Sequence, residues 1–252
     1  MTTLPRTALV SALHDELSGV LAVLSGAQRN RVAGREFWVG ELHGQPVVAV
    51  LSGIGKVAAA TTATLLVERF GATRIVFTGV AGGLGPGMRV GDLVLARSLL
   101  QHDMDASPLF PRHEIPGYGR SRFDADPALS DALELACLRA LDTVVAELPQ
   151  ATRDAFGLRT PQLHQGLIVS GDRFVSSQAE SQRLQAELPD ALAVEMEGAA
   201  FAQVCHDLQV PLAVLRTVSD RADDSAHIDF PRFLKEVASR YSSGVLNMLL
   251  ST

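Results

Sequence analysis

Residues 46–79 read PVVAVLSGIGKVAAATTATLLVERFGATRIVFTG. Residues 46–51 form a short apolar run closed by Ser52-Gly53, as a buried strand would be. Residues 55–70 are rich in Ala and Leu and long enough for a helix, and residues 74–79 are a second apolar run rich in β-formers. Strand, helix and strand in succession imply a mostly parallel sheet covered by its crossover helices.

Working outward, the same alternation continues. Residues 7–12 read as a buried strand, and residues 36–42 face 46–51 across His43-Gly44, a hairpin signal. Further strands are expected at 92–99, 167–170, 192–195 and 212–218. Asp126-Pro127 reads as N-cap and first helical residue, followed at helical spacing by Leu129, Leu133, Ala136, Cys137 and Ala140. A last helix is expected from about Asp229, with Phe230, Phe233, Leu234, Val237, Tyr241 and Val245 on one apolar face. Residues 147–165 are irregular and polar and read as a surface excursion. No repeat and no linker divides the chain. The expectation is one α/β domain over residues 1–252, with three α/β/α layers around a mixed, mostly parallel sheet.

Composition narrows the function. The 252 residues are 47% apolar and 20% charged, which suits a compact folded chain. The 28 acidic and 22 basic residues give a net charge of −6, without the basic footprint of a nucleic-acid binder or a polybasic membrane patch. Two cysteines, Cys137 and Cys205, exclude a disulfide scaffold and a cysteine zinc site. No apolar run reaches the ~18 residues of a membrane span, and His14-Asp15-Glu16 interrupts the short N-terminal apolar stretch before it could serve as a signal peptide. A cytoplasmic enzyme or binding protein with a small ligand is expected.

In open α/β sheets, ligands bind beyond the carboxyl ends of the strands. Five segments lie there: 11–16, 79–83, 170–174, 195–197 and 219–220. Glu16 reads either as a general base or as a first-turn helix acid favoured by the macrodipole. Glu195 and Glu197 flank Met196 after a strand, so in extended geometry both could face one ligand; a solvated helix start is the other reading. Asp220 follows the strand 212–218 and reads either as one of the pocket's acids or as an N-cap or turn aspartate. Phe174 could stack on a flat ring or pack in the core. Arg216 lies within an apolar strand and must meet a carboxylate or an anion. Several matches fail. Ser52-Gly53-Ile54-Gly55-Lys56-Val57 lacks the first glycine and the Ser/Thr of a phosphate-binding loop, and Gly83-Leu84-Gly85-Pro86-Gly87 leads into a strand rather than a helix. His102-Asp103-Met104-Asp105 has no second histidine cluster to complete a metal site, so a structural or pocket-lining role is expected.

Six motifs then fall in order: 52–58 (SGIGKVA), 78–83 (TGVAGG), 90–92 (VGD), 170–174 (SGDRF), 194–200 (VEMEGAA) and 218–220 (VSD). The series resembles the nucleoside phosphorylase/hydrolase superfamily, and within it the bacterial 5′-methylthioadenosine/S-adenosylhomocysteine nucleosidase branch. That resemblance, covering residues 7–249, implies hydrolysis of the N-glycosidic bond of 5′-methylthioadenosine and S-adenosylhomocysteine. Cleavage of 5′-deoxyadenosine, releasing adenine likewise, would follow from the same site. It also implies no metal, no cofactor and a homodimer, in which residues 102–111, with Phe110, help to close the partner's site. By resemblance, Glu16 activates water, Asp220 is the leaving-group acid, and Met196 and Glu197 hold the ribose. Phe174 stacks on adenine, and the backbone of Val175 pairs with the base. Gly82 touches the ligand and Arg216 lies near the attacking water. Ile54, Ala81, Glu195, Ser219 and Phe230 complete the expected substrate contacts. Val80 departs from the serine more usual in the branch, and residues 144–165 are longer than in compact members.

The residue types suit that chemistry. Adenine leaves poorly as an anion, so one acid must protonate it while a second group deprotonates water on the opposite face of the ribose, the logic of inverting glycoside hydrolysis. Phosphate as nucleophile would need cations, whereas residues 11–16 offer two carboxylates and no arginine. Water is therefore expected. The alternatives are a nucleosidase for aminofutalosine, a purine nucleoside phosphorylase, and a non-catalytic nucleoside sensor.

Overall fold

The computed structural model describes residues 5–222 and 230–251. Ten strands form one sheet: β1 (Thr7–Ser11), β2 (Ser25–Val32), β3 (Arg35–Leu42), β4 (Gln45–Leu51), β5 (Arg74–Gly83), β6 (Leu93–Gln101), β7 (Arg122–Asp124), β8 (Leu163–Ser170), β9 (Ala191–Glu195) and β10 (Leu212–Asp220). Between them lie α1 (His14–Val23), α2 (Lys56–Glu68), α3 (Pro127–Glu147), α4 (Gln150–Phe156), α5 (Gln178–Glu187) and α6 (Gly198–Leu208). The last helix, α7, spans 230–250 and contains a π-helical turn at Leu234–Ala238.

Strand alternation sorts the core into two layers. Ala8 and Val10, Val48 and Val50, Ile75 and Phe77, and Leu212 and Val214 point to one face, against Ala63 and Leu66 of α2 and Phe201 and Cys205 of α6. Their neighbours Leu9, Val47, Ala49, Val76, Ala213 and Leu215 point to the other, against Leu17 of α1, Leu133 and Cys137 of α3, and Val237 and Val245 of α7. Each full burial of such a side chain contributes ~1.5–3 kcal/mol, and the two-sided pattern is why these strands read as continuous apolar runs.

The centre of the sheet is parallel as expected, β4–β1–β5–β10 in order. Two features depart from an open sheet. First, β5 runs past Gly79 to Gly83, and Gly82 and Gly83 pair with Val194 and Ala193 of β9. With β10 antiparallel to β6, β6 parallel to β8, and β8 parallel to β9, strands β5, β10, β6, β8 and β9 close into a ring. The carboxyl ends of β5 and β10 converge there. Second, the polar strand β2 extends the hairpin as an exposed edge. The expected excursion at 147–165 is part helix: α4 buries only Thr152, capped at its C-terminus by left-handed Gly157, before β8 begins at Leu163. Asp126 caps α3 as expected, accepting from the Leu129 N–H at 2.8 Å. The expected helix start at Asp229 lies outside the described residues, and α7 is described from Phe230.

Candidate active site

A cavity of about 660 Å³, including its open mouth, lies where β1, β5, β9 and β10 end. Glu16 is held at its back. It is the third residue of α1, and its side chain folds back over the helix start: Oε2 accepts from the N–H groups of Ala12 (2.9 Å) and Leu13 (2.8 Å), and Oε1 from that of Val80 (3.1 Å). A place in the first turn of α1 thus also brings the carboxylate to the cavity. Burial raises the Glu16 pKa above the ordinary glutamate value, against those three N–H groups and the Arg216 charge. Gly79 makes room for it: a Cβ there would stand 3.0 Å from Glu16 Oε1 and 3.4 Å from Arg216 Nη1.

Asp220 enters the same cavity from the end of β10, as a strand residue rather than a helix cap. Its Oδ2 accepts from Ser219 Oγ at 2.7 Å and its Oδ1 from the Ala222 N–H at 2.8 Å. Here too a glycine sets the approach, since a Cβ on Gly82 would lie 3.1 Å from Asp220 Oδ1.

The segment after β9 separates two glutamates that the sequence placed together. Glu195 is wholly engaged by the protein. It accepts from Ser170 Oγ, from the N–H groups of Glu197 (3.1 Å) and Gly198, and from Arg216 Nη2 at 2.8 Å. It borders the cavity with no oxygen to spare. Glu197 is held on one side only, its Oε1 accepting from the Gly55 N–H at 2.9 Å. Burial first, then the neighbouring Glu195 charge, push Glu197 up to about 8, opposed by Gly55 N–H and Arg216.

Arg216 is the one expected site residue outside the cavity lining. Its position in β10 shares parity with Leu212 and Val214, so the guanidinium points toward the α2/α6 layer. There it stacks over the Phe77 ring at 4.0 Å and pairs with Glu195. The expected carboxylate partner is present. Its place is behind the acids, where it acts on them through charge.

Phe174 is 44% exposed and does not pack in the core; it meets Phe230 edge to face at 5.9 Å, and both rings border the cavity mouth. Val175 and Met196 line the wall with Ile54, Ala81, Gly82 and Ser219. Ala12, Leu13 and Arg173 also line the cavity, within the segments 11–16 and 170–174 expected at the strand ends, and Val194, just before the segment 195–197, was not expected there. His102-Asp103-Met104-Asp105 does not line the cavity. Among the described residues no three His, Cys, Asp or Glu side chains form a metal-binding group.

The sequence pattern of the phosphorylase superfamily matches residues 6–250. The chain belongs to the phosphorylase superfamily. Within the superfamily, it is 37% identical over 249 residues to the 5′-methylthioadenosine/S-adenosylhomocysteine nucleosidase of Mycobacterium tuberculosis, covering 96% of this chain and 95% of that protein. The crystal structure of the same enzyme from Neisseria meningitidis, in complex with methylthio-immucillin-A, superposes with a TM-score of 0.84 at 34% identity, covering 99% of this chain and 100% of that one. The Colwellia psychrerythraea nucleosidase in complex with adenine gives a TM-score of 0.86 at 32% identity, covering 98% and 95%.

Proposed function

We propose that this superfamily member hydrolyses the N-glycosidic bond of 5′-methylthioadenosine and S-adenosylhomocysteine, releasing adenine and the 5′-thioribose. The observation that carries the reading is the convergence of Glu16 and Asp220, from opposite ends of the chain, on one cavity whose mouth bears an exposed aromatic ring. The superfamily's nucleosidases, full-length relatives of this chain, support it.

In the proposed reaction, adenine stacks on Phe174 and its edge meets the backbone of Val175. Glu197 accepts a hydrogen bond from a ribose hydroxyl, and Met196 gives the sugar an apolar, polarizable face. Asp220 supplies a proton to the base as the C1′–N9 bond breaks. A water oxygen forms the new bond at C1′, and its proton passes to Glu16. Burial makes the ionised Glu16 a stronger base than a solvated glutamate, while the Leu13 N–H and the Arg216 charge oppose that rise.

Water is favoured over phosphate by the lining itself. Glu16, Glu195, Glu197 and Asp220 border the cavity, while its one lining cation among the described residues is Arg173, exposed and bridged to Glu180 at 3.2 Å. Arg216 is committed to Glu195. A phosphate dianion would face this carboxylate-rich lining in a partly desolvated space, with Arg173 and Arg216 both already engaged by glutamates. The test is adenine release from both thionucleosides with and without phosphate. A rate independent of phosphate is expected; phosphate-dependent formation of a sugar 1-phosphate would overturn the reading.

The reading extends to a cytoplasmic homodimer in which residues 102–111 close the partner's site. Exposed Leu109 supports it as an uncovered apolar side chain in that segment. Light scattering at the mass of two chains is the expected result. No helix among the described residues is long and apolar enough to cross a membrane.

A further inference from the structure

Two sequence features stand outside the chemistry above: Lys56, at the end of the failed phosphate-loop match, and Asp103, in the failed metal match. The fold brings them together. Lys56 Nζ donates to Asp103 Oδ1 at 2.6 Å and to Gln101 Oε1 at 3.1 Å, with its side chain only 16% exposed. Asp103 Oδ2 accepts from the Asp172 N–H at 2.8 Å, and Asp172 Oδ1 accepts in turn from the backbone N–H of Lys56 at 2.7 Å. Burial pushes the Asp103 carboxyl up, yet it stands below its ordinary value because the Lys56 ammonium and the Asp172 N–H outweigh that effect.

This circuit ties three segments into one piece: the turn before α2, the end of β6 and the start of the β8–α5 loop. Each of the two loops carries a site residue immediately beyond the circuit. Gly55, next to Lys56 and held at φ +94°, donates its N–H to Glu197 Oε1 at 2.9 Å. Phe174 and Val175 follow Asp172 by two and three positions and line the cavity. Neither Lys56 nor Asp103 lines it.

We propose that Lys56 and Asp103 are positioning residues for nucleoside binding: their ion pair locks the Gly55–Lys56 turn to the Asp172–Val175 loop and so fixes where Glu197 and Phe174 meet the ligand. The inference rests on the nucleosidase reading for the identity of the ligand. An ordinary exposed pair would contribute ~0–1 kcal/mol of stability and leave binding untouched. This pair instead holds the two loops that grip base and sugar. Without the Lys56 ammonium, which lies 2.6 Å from Asp103 Oδ1 and 4.0 Å from Asp172 Oδ2, the two carboxylates lose the cation between them, and only the backbone N–H bonds to Asp103 and Asp172 still tie the loops.

The experiment compares Lys56→Met, Asp103→Asn and Lys56→Arg with the wild-type chain, reading melting temperature, the Kd for adenine by calorimetry, and KM and kcat for 5′-methylthioadenosine. The expected result is a rise of about tenfold in both Kd and KM for Lys56→Met and Asp103→Asn, with a smaller change in kcat, as for loss of one charge-assisted hydrogen bond that holds the binding conformation. Lys56→Arg, which keeps the cation, recovers most of the loss. A folded Asp103→Asn protein with Kd and KM within about twofold of wild type would overturn the proposal, since that is below the effect of one such bond. So would failure of the near-isosteric Asp103→Asn protein to fold, because the pair would then hold the fold rather than the site. A wild-type chain that binds adenine but releases none from the nucleoside refutes the hydrolase reading and leaves the Kd comparison standing.

Discussion

Replacing Arg216 by Met probes how far the acids depend on a charge that no ligand touches. Methionine keeps much of the stem packed on Phe77 and removes the guanidinium. The loss includes the Nη2 bond to Glu195 Oε2 at 2.8 Å and two bonds from Nη1 to the carbonyls of Phe77 and Leu215 at 3.3 Å. Glu195, 7% exposed, would remain as a buried carboxylate held only by Ser170 and the backbone N–H groups of Glu197 and Gly198. Removing one partner of a buried pair costs about 3–5 kcal/mol, which at about 2–4 °C per kcal/mol lowers the melting temperature by roughly 6–20 °C. A double variant, Arg216→Met with Glu195→Met, leaves no orphaned charge and should regain most of that loss, because well-packed apolar residues replace buried pairs at little net cost. The same charge lowers the Glu16 and Glu197 pKa values, so its removal also moves the acid limb of the pH–rate profile upward. Scanning calorimetry of the single and double variants checks the first part, and pH–rate profiles the second. An Arg216→Met protein melting within about 2 °C of wild type, about one kcal/mol or less, would refute the reasoning.

Two further outcomes follow from the site. Glu197 holds its proton up to about pH 8 in the folded chain, against 4.5 as the ordinary value. The native state therefore binds more protons than the unfolded state between those values, and stability falls as pH rises through that window. Glu197→Gln should flatten this fall by on the order of a few kcal/mol, measured by urea unfolding from pH 5 to 9; an unchanged slope contradicts it. Phe174→Ala removes a half-exposed stacking face, so KM for the nucleoside should rise with a loss of ~1–3 kcal/mol in binding while the melting temperature holds. A large drop in melting temperature would place the ring in the core instead.

The chemistry was legible because polar residues at the ends of apolar strands stand out against their surroundings. Glu16, Glu197 and Asp220 each close or follow such a run, and all border one cavity. Arg216 was legible as a charge in need of a partner. Its place behind the cavity was also available, since its parity with Leu212 and Val214 assigns it to the α2/α6 layer. The closure of the sheet was hidden by Gly82 and Gly83. Two glycines carry no strand preference, so β5 read as ending at Gly79, whereas they are the residues that pair with β9. Strand β2 and helix α4 were silent for another reason: one is exposed along its length and the other buries only Thr152, so neither carries an apolar period. The division of labour between Glu195 and Glu197 was equally hidden, because it depends on Ser170 and Arg216, which arrive from other strands.

The most direct test of the account is single-turnover cleavage of 5′-methylthioadenosine by Glu16→Gln and Asp220→Asn proteins, alongside their Kd for adenine. Each variant is expected to bind adenine near normally and to lose ~100- to 10,000-fold in the rate of cleavage, as for removal of one general acid or base. Near-wild-type cleavage by either protein would contradict the claim that these two carboxyl groups carry the reaction.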